Sequence, residues 1–313
     1  MAILLAITGW EPKAWLERFR TLAPERDVRL IPDVGDPSAV RYACAWKPPA
    51  GLLATLPKLQ VIFSLGAGVD HLMKDPTLPD VPIVRIVDPD LTMRMTEYVV
   101  LHVLLHHRRF KLYDAQQRDH VWQENSDPSA SAVRVGIMGL GALGQAAAAA
   151  LRPLGFQLKG WSRSPKDVAG VETFAGTDGL KPFLTKTDIL VVLLPLTPDT
   201  RNFIEYDLLR GLARDGVLGG PSLINAGRGG LQVEADIVRA LDDGTLTGAS
   251  LDVFQQEPLP ATSPFWAHPK VFLTPHNAAQ SEPNALSKYV LKQIEQLERG
   301  LPLENVVDRK LGY

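Results

Sequence analysis

The sequence predicts an α/β chain made of two doubly wound parallel-sheet domains, and three observations carry that prediction. Short apolar runs alternate with helix-sized segments along almost the whole chain. The runs are continuously apolar, as strands buried on both faces are. Midway along, a glycine-rich turn follows one such run and opens an alanine-rich segment.

The first series of candidate strands is Ala2–Ile7, Val28–Ile31, Ala43–Trp46, Val61–Leu65 and Ile83–Ile86, which suits a small parallel α/β unit. The next segment, Thr96–Arg108, is helical in period and long enough to bridge two domains. A polar stretch, Asp114–Ala132, follows it. The second series runs through Val135–Met138, Gln157–Trp161, Ile189–Leu194, Ser222–Asn225, Gly248–Asp252 and Val271–Thr274. Six strands separated by helix-sized gaps suit one complete doubly wound domain. The run Ala146–Ala150 falls inside a predicted helix, where alanine is a good helix former. Asn284–Arg299 is again amphipathic and helical, stopped at Gly300 with Pro302 just beyond.

Composition bounds the function. The 313 residues, 45% apolar, suffice for two ordinary cores. The net charge is −2, with 33 Lys+Arg scattered among 35 Asp+Glu, so no basic block invites nucleic acid. Any charged substrate is therefore recognised by local charge. No apolar run approaches the about 20 residues of a membrane span. Cys44 is the only cysteine, which excludes an intrachain disulfide and fits a reducing, cytoplasmic setting; it reads as a small buried side chain. Met1–Ile7 lacks a basic leader and is short for a signal segment, so it reads as the first buried strand. No metal site is expected.

The turn itself is Gly139, Gly141 and Gly144, a G-x-G-x-x-G pattern. Gly139 permits the tight turn, Gly141 lets backbone approach a pyrophosphate, and Gly144 lets helix pack close to strand. The following helix, starting at Ala142 and Leu143, offers free N–H groups to phosphates. Alone, the pattern also describes a plain turn. A strand before it and a helix after it make it a dinucleotide site. An NAD site usually places an acid about 20 residues on, against the ribose 2′-hydroxyl. Here the chain reads Gly160-Trp161-Ser162-Arg163-Ser164-Pro165-Lys166, with no carboxylate before Asp167. A carboxylate would repel a 2′-phosphate, whereas an arginine and a hydroxyl bind it. The expected cofactor is thus NADP(H) in preference to NADH, with Arg163 and Ser162 as first contacts and Lys166 as a lesser one. The competing reading is an ordinary solvated basic loop.

Three later stretches each begin as a predicted strand and deliver one charged or titratable residue beyond its C-terminal end: Arg228, Glu257 and His276. Open α/β sheets place their sites there. The residue types suit reduction of a 2-oxo acid, in which negative charge grows on the carbonyl oxygen. An arginine polarises that bond, a histidine supplies the proton, and a glutamate beside the histidine favours its protonated form and fixes its orientation. Taken singly, Arg228 reads equally as a surface arginine, Glu257 as a turn residue, and His276 as a structural histidine. Three such residues at successive strand ends, downstream of a dinucleotide turn, read as one site. His71, His102, His106, His107, His120 and His268 lack that frame and read as helix, loop or surface residues.

On these residues the chain resembles the D-isomer-specific 2-hydroxyacid dehydrogenase family, and within it the glyoxylate/hydroxypyruvate reductase A subgroup. The resemblance runs from Trp46 to the C-terminal Asp308–Tyr313 and is most specific at the glycine turn, Trp161–Ser164, Asn225–Gly229, Leu251–Leu259 and Thr274–His276. It implies a discontinuous, flavodoxin-like substrate domain, residues 1–98 and 280–313, and a Rossmann NADP-binding domain, residues 99–279. It implies closure of the two over substrate. Arg228 would bind substrate and activate its carbonyl, and His276 would be the general acid, paired with Glu257. Asn225, Ala226 and Asp252 would lie near the nicotinamide half, with Leu194 and Pro195 shaping its wall. Ala67, Gly68 and Val69 would hold the substrate carboxylate through backbone N–H groups, beside a pocket tryptophan at Trp46. A homodimer is implied, built on the helix after Thr96 and the arm near Trp122.

The resemblance implies NADPH-dependent reduction of glyoxylate to glycolate and of hydroxypyruvate to glycerate. Asn277, Gly230 and Gln280-Ser281-Glu282 depart from the common pattern and leave the exact 2-oxo acid open. A bulkier, phenylpyruvate-like substrate is the alternative, to be decided by space near Trp46 and Leu65. A dinucleotide-sensing regulatory module is the alternative from another class; the intact Arg228, Glu257 and His276 argue against it.

Overall fold

In a computed structural model describing residues 1–280 and 282–312, the first apolar runs pair into a five-stranded parallel sheet. Ser281 and Tyr313, both within stretches singled out above, lie outside the described residues. The elements in order are β1 (Ala2–Ile7), α1 (Lys13–Leu22), β2 (Asp27–Leu30), β3 (Val40–Trp46), β4 (Val61–Ser64), α2 (Asp70–Met73) and β5 (Ile83–Val84). The strand order β2-β1-β3-β4-β5 is the flavodoxin-like arrangement. Strand periodicity explains why β1 reads as uniformly apolar. Ile3, Leu5 and Ile7 join one core with Trp15 and Phe19 of α1. Ala2, Leu4 and Ala6 join the core on the other face with Leu53 and Leu72.

The helix expected at Thr96 begins earlier, as α3 (Pro89–His107). Asp88 Oδ1 accepts the N–H groups of Asp90 (2.9 Å) and Leu91 (3.1 Å), and Pro89 needs no such bond, so the cap lies upstream of the apolar period. The chain divides into compact units Met1–Leu91 with Gln280–Tyr313, and Thr92–Ala279. The sequence reading placed the first crossing after residue 98. It falls earlier because Met95 and Tyr98 already belong to the second unit's core. The polar stretch expected from Asp114 contains the end of another helix, α4 (Phe110–Arg118).

The second unit continues with β6 (Arg134–Met138), α5 (Ala142–Leu151), β7 (Gln157–Ser162), β8 (Glu172–Ala175), α6 (Gly176–Leu184) and β9 (Ile189–Val192). It ends with α7 (Tyr206–Arg210), β10 (Ser222–Asn225), α8 (Glu234–Asp242), β11 (Gly248–Leu251) and β12 (Val271–Leu273). Its sheet is parallel throughout, in the order β12-β11-β10-β9-β6-β7-β8. This is the doubly wound dinucleotide order, reversing between β6 and β9. It has seven strands where six were expected. The extra one, β8, is an edge strand with no fully buried residue, so it carries no continuous apolar run.

After β12 the chain returns to the first unit as α9 (Pro283–Glu298). Glu282 caps it by accepting N–H groups from Asn284 and Ala285. Leu286, Val290 and Ile294 then complete the core on α1's side of the first sheet. Arg26 grips Glu298 with its two terminal guanidinium nitrogens, at 2.8 and 2.7 Å.

Candidate active site

The register of the second sheet assembles the candidate residues. Met138 pairs with Trp161 on one side and Val192 on the other; Val192 pairs with Asn225, Asn225 with Leu251, and Leu251 with Leu273. These six residues form one row across the C-terminal rim. Gly139, Ser162, Leu194, Ala226, Asp252 and Thr274 all follow within two residues of that row.

At the switch point, Gly139 has φ +107°, and a Cβ there would meet the Leu193 carbonyl oxygen at 2.8 Å. A Cβ at Gly144 would overlap the Gly139 carbonyl, so α5 sits against the turn only because residue 144 has no side chain. A Cβ at Gly141 would meet nothing within 4 Å, so the backbone on that side is open to approach. As at any helix start, the Ala142 and Leu143 N–H groups lack intrahelical acceptors. This arrangement fits a dinucleotide pyrophosphate.

At the end of β7, Ser162 is buried and donates its hydroxyl to the Ser164 carbonyl at 2.8 Å, which shapes the turn before Arg163. Trp161 is buried and gives its indole N–H to the Gly176 carbonyl at 2.9 Å. Arg163 and Lys166 are exposed, and they remain the residues suited to a 2′-phosphate. Leu194 and Pro195 follow β9, with the Pro195 carbonyl accepting the Thr200 hydroxyl at 2.7 Å.

His276 Nδ1 lies 2.8 Å from Glu257 Oε2, and the two side chains are part-exposed. The carboxylate accepts, so Nδ1 carries a proton, and Nε2 is the nitrogen left for chemistry. Glu257 Oε1 accepts the Phe254 N–H at 3.2 Å, which steadies the pair from behind. His276 has φ +53°, a left-handed conformation costing a side-chain-bearing residue about 1–2 kcal/mol. Its N–H is held by the carbonyls of Asp252 (2.8 Å) and Thr274 (3.1 Å).

Asp252, which follows β11, holds the loop that carries His276. Its buried carboxylate accepts the Thr274 hydroxyl (2.7 Å), the Asn277 N–H (2.9 Å) and the Ala278 N–H (3.2 and 3.1 Å). It clamps the His276 turn. Asn225 likewise serves the Arg228 loop: Oδ1 accepts the Gly227 N–H, and Nδ2 donates to the Gln232 side chain at 2.7 Å and to the Arg228 carbonyl at 3.3 Å. Arg228 is half-buried, with Nη1 2.9 Å from the Gly227 carbonyl. A Cβ at the next residue, Gly229, would overlap the Phe254 carbonyl, so the Arg228 loop presses against the loop leading to Glu257.

Gln232 was not anticipated. It is fully buried, accepts from Asn225, donates to the Val253 carbonyl at 2.9 Å, and receives Gln255 Nε2 on its own carbonyl. It ties the Arg228 and Glu257 loops together. An amide side chain just after Gly229-Gly230-Leu231 was the available signal, but polarity alone does not distinguish a buried amide from a solvated one.

In the first unit, the Ala67, Gly68 and Val69 N–H groups make no hydrogen bond among the described residues. Ser64 Oγ lies 3.1 Å from the Gly66 and Gly68 carbonyls and shapes the loop. Trp46 stacks on Trp10 (4.2 Å) and meets the His71 ring at a tilt (4.8 Å), and its own ring takes the space a Gly66 side chain would need. The loop therefore offers backbone donors beside an aromatic wall, a combination suited to a small carboxylate. Among the described residues, no group of three or more His, Cys, Asp or Glu side chains is placed to hold a metal. No helix among them is long and apolar enough to cross a membrane.

The chain is similar to known proteins in sequence and in fold. The family model for the D-isomer specific 2-hydroxyacid dehydrogenase NAD binding domain matches residues 100–278. Glyoxylate/hydroxypyruvate reductase A of Escherichia fergusonii is 40% identical over 319 residues, covering 100% of both chains. The NADPH-dependent glyoxylate/hydroxypyruvate reductase of Sinorhizobium meliloti, solved with NADP and sulfate, is 48% identical with TM-score 0.96, covering 100% of this chain and 99% of that one. A D-isomer specific 2-hydroxyacid dehydrogenase of Xanthobacter autotrophicus Py2, solved with NADPH and MES, is 39% identical with TM-score 0.94, at 100% and 99% coverage.

Proposed function

The chain belongs to the D-isomer specific 2-hydroxyacid dehydrogenase family, and we propose that within it this enzyme uses NADPH to reduce small 2-oxo acids, glyoxylate and hydroxypyruvate foremost. The observation that carries the reading is the His276–Glu257 pair, 2.8 Å apart, on loops leaving the rim that also bears the glycine turn. When bound, NADPH supplies the hydride that reaches C2 of the substrate. The glycine turn and the start of α5 hold its pyrophosphate, and Arg163 with Lys166 attracts the 2′-phosphate. Arg228 binds the carboxylate and stabilises the charge growing on the carbonyl oxygen. His276 Nε2 delivers the proton to that oxygen, while Glu257 fixes the imidazole through Nδ1. Ala67, Gly68 and Val69 form the first unit's carboxylate cradle. The assembly is a homodimer, a reading supported by the exposed Trp122 and its apolar neighbours.

The test is NADPH oxidation with glyoxylate, hydroxypyruvate, pyruvate and phenylpyruvate, in the parent and in His276→Ala. The two small substrates are expected to give the highest kcat/KM. His276→Ala should lose at least about a hundredfold in kcat while still binding NADPH. A preference for phenylpyruvate would overturn the substrate assignment, and full turnover by His276→Ala would overturn the mechanism.

A further inference from the structure

The bonds that hold His276 continue behind the site into α3. Thr274 Oγ1 lies 2.7 Å from Asp252 Oδ1, to which it donates, and 3.0 Å from the Tyr98 hydroxyl. A threonine hydroxyl has one proton, so Thr274 must accept from Tyr98. The direction is fixed: Tyr98 donates to Thr274, Thr274 donates to Asp252, and Asp252 receives the N–H groups of Asn277 and Ala278 just beyond His276. Bonds aligned this way polarise and strengthen one another.

Tyr98 is itself braced. Its ring lies 4.1 Å from that of His102, whose Nδ1 is 2.7 Å from Ser250 Oγ; the same oxygen is 2.9 Å from His106 Nε2. Ser250 lies two residues before Asp252, on the same face of β11 and its extension. A phenylalanine would fill the same volume among Met95, Val99 and Val103. Among the described residues, Thr274 is the one hydrogen-bond partner of the Tyr98 hydroxyl. Burial of that hydroxyl is offset by this single bond, which leads to the His276 turn and nowhere else.

We infer that Tyr98 and Thr274 are positioning residues for the reaction, holding through Asp252 the left-handed turn that sets the His276 imidazole. The inference rests on the proposed role of His276 as the acid.

Tyr98→Phe, Thr274→Val, Thr274→Ser and the Tyr98→Phe/Thr274→Val double variant test it, with His276→Ala alongside. Active sites are counted by NADPH titration, so that kcat on glyoxylate is expressed per NADPH-binding site. Tyr98→Phe and Thr274→Val should each lower that kcat by about tenfold or more, with the NADPH Kd unchanged, since small misplacements of a reacting group cost this much. Thr274→Ser, which keeps the hydroxyl, should restore most of it. The double variant should be no worse than the poorer single, because both act through one chain. If both single variants keep the parental kcat per site while His276→Ala is inactive, the inference fails and the proposed function stands. If Thr274→Ser is as impaired as Thr274→Val, methyl packing and not the hydroxyl is at work, and the inference again fails. If His276→Ala turns over normally, both fail. Should Thr274→Val not fold, Tyr98→Phe decides alone.

Discussion

Arg163 follows the last residue of β7, where a carboxylate would select NAD, and it is exposed beside the similarly exposed Lys166. Replacing Arg163 with alanine removes the planar donor set while leaving the strand end intact. The kcat/KM for NADPH should fall roughly tenfold to a hundredfold, and that for NADH should change little, because only NADPH carries the 2′-phosphate. Equal losses with both cofactors would show that Arg163 shapes the loop without reading the phosphate. Ser162 shows what residue type leaves open: its hydroxyl suits a phosphate, and folding gives it the Ser164 carbonyl as a partner. A side chain's chemistry was legible here; its partner was not.

Among elements, α3 is the one whose role changed most between sequence and structure. Its histidines read as unremarkable, but His102 and His106 share the Ser250 hydroxyl on β11. Ser250 has one proton to give, so at most one imidazole accepts from it and at least one donates to it. Burial pushes the pKa of His102 down to about 4 and that of His106 down to about 3. The unfolded chain takes up these protons near pH 6.5, whereas the folded chain holds His102 neutral until about pH 4, so acid favours unfolding between those values. From pH 7 to pH 5, His102 alone should remove roughly 2 kcal/mol of stability. Calorimetric unfolding of the full chain should therefore show a drop in Tm over that range, and a smaller drop in His102→Gln. Equal drops in the two proteins would exclude His102 as the source.

For the whole molecule, exposed apolar side chains gather along α3, α4 and the arm beyond: Leu101, Phe110, Leu112, Val121 and Trp122, the last 96% exposed. A cluster of this kind on one unit suits the proposed second copy of the chain. Sedimentation equilibrium at micromolar concentration should give a dimer, and Trp122→Asp should shift it toward monomer. A parent protein that stays monomeric would sink the proposal. The two-sheet architecture itself was legible, because parallel strands buried on both faces leave continuous apolar runs such as Ile189–Val192. The edge strand β8 was not, since half-exposed strands lack that signature.

Local chemistry and spacing were enough for the α/β class, the glycine turn, the absence of an acid after β7, and the order of Arg228, Glu257 and His276. Each follows from residues close in sequence, where backbone sterics and hydrophobic period act directly. Tertiary structure decided the rest. The turning of Asp252 toward the Asn277 N–H and the reach of Gln232 to the Val253 carbonyl join residues 25 and 21 positions apart. The line from Tyr98 through Thr274 to Asp252 likewise joins residues distant in sequence. Buried polar groups must find partners, and which partner each finds depends on which strand ends the sheet register brings into one row.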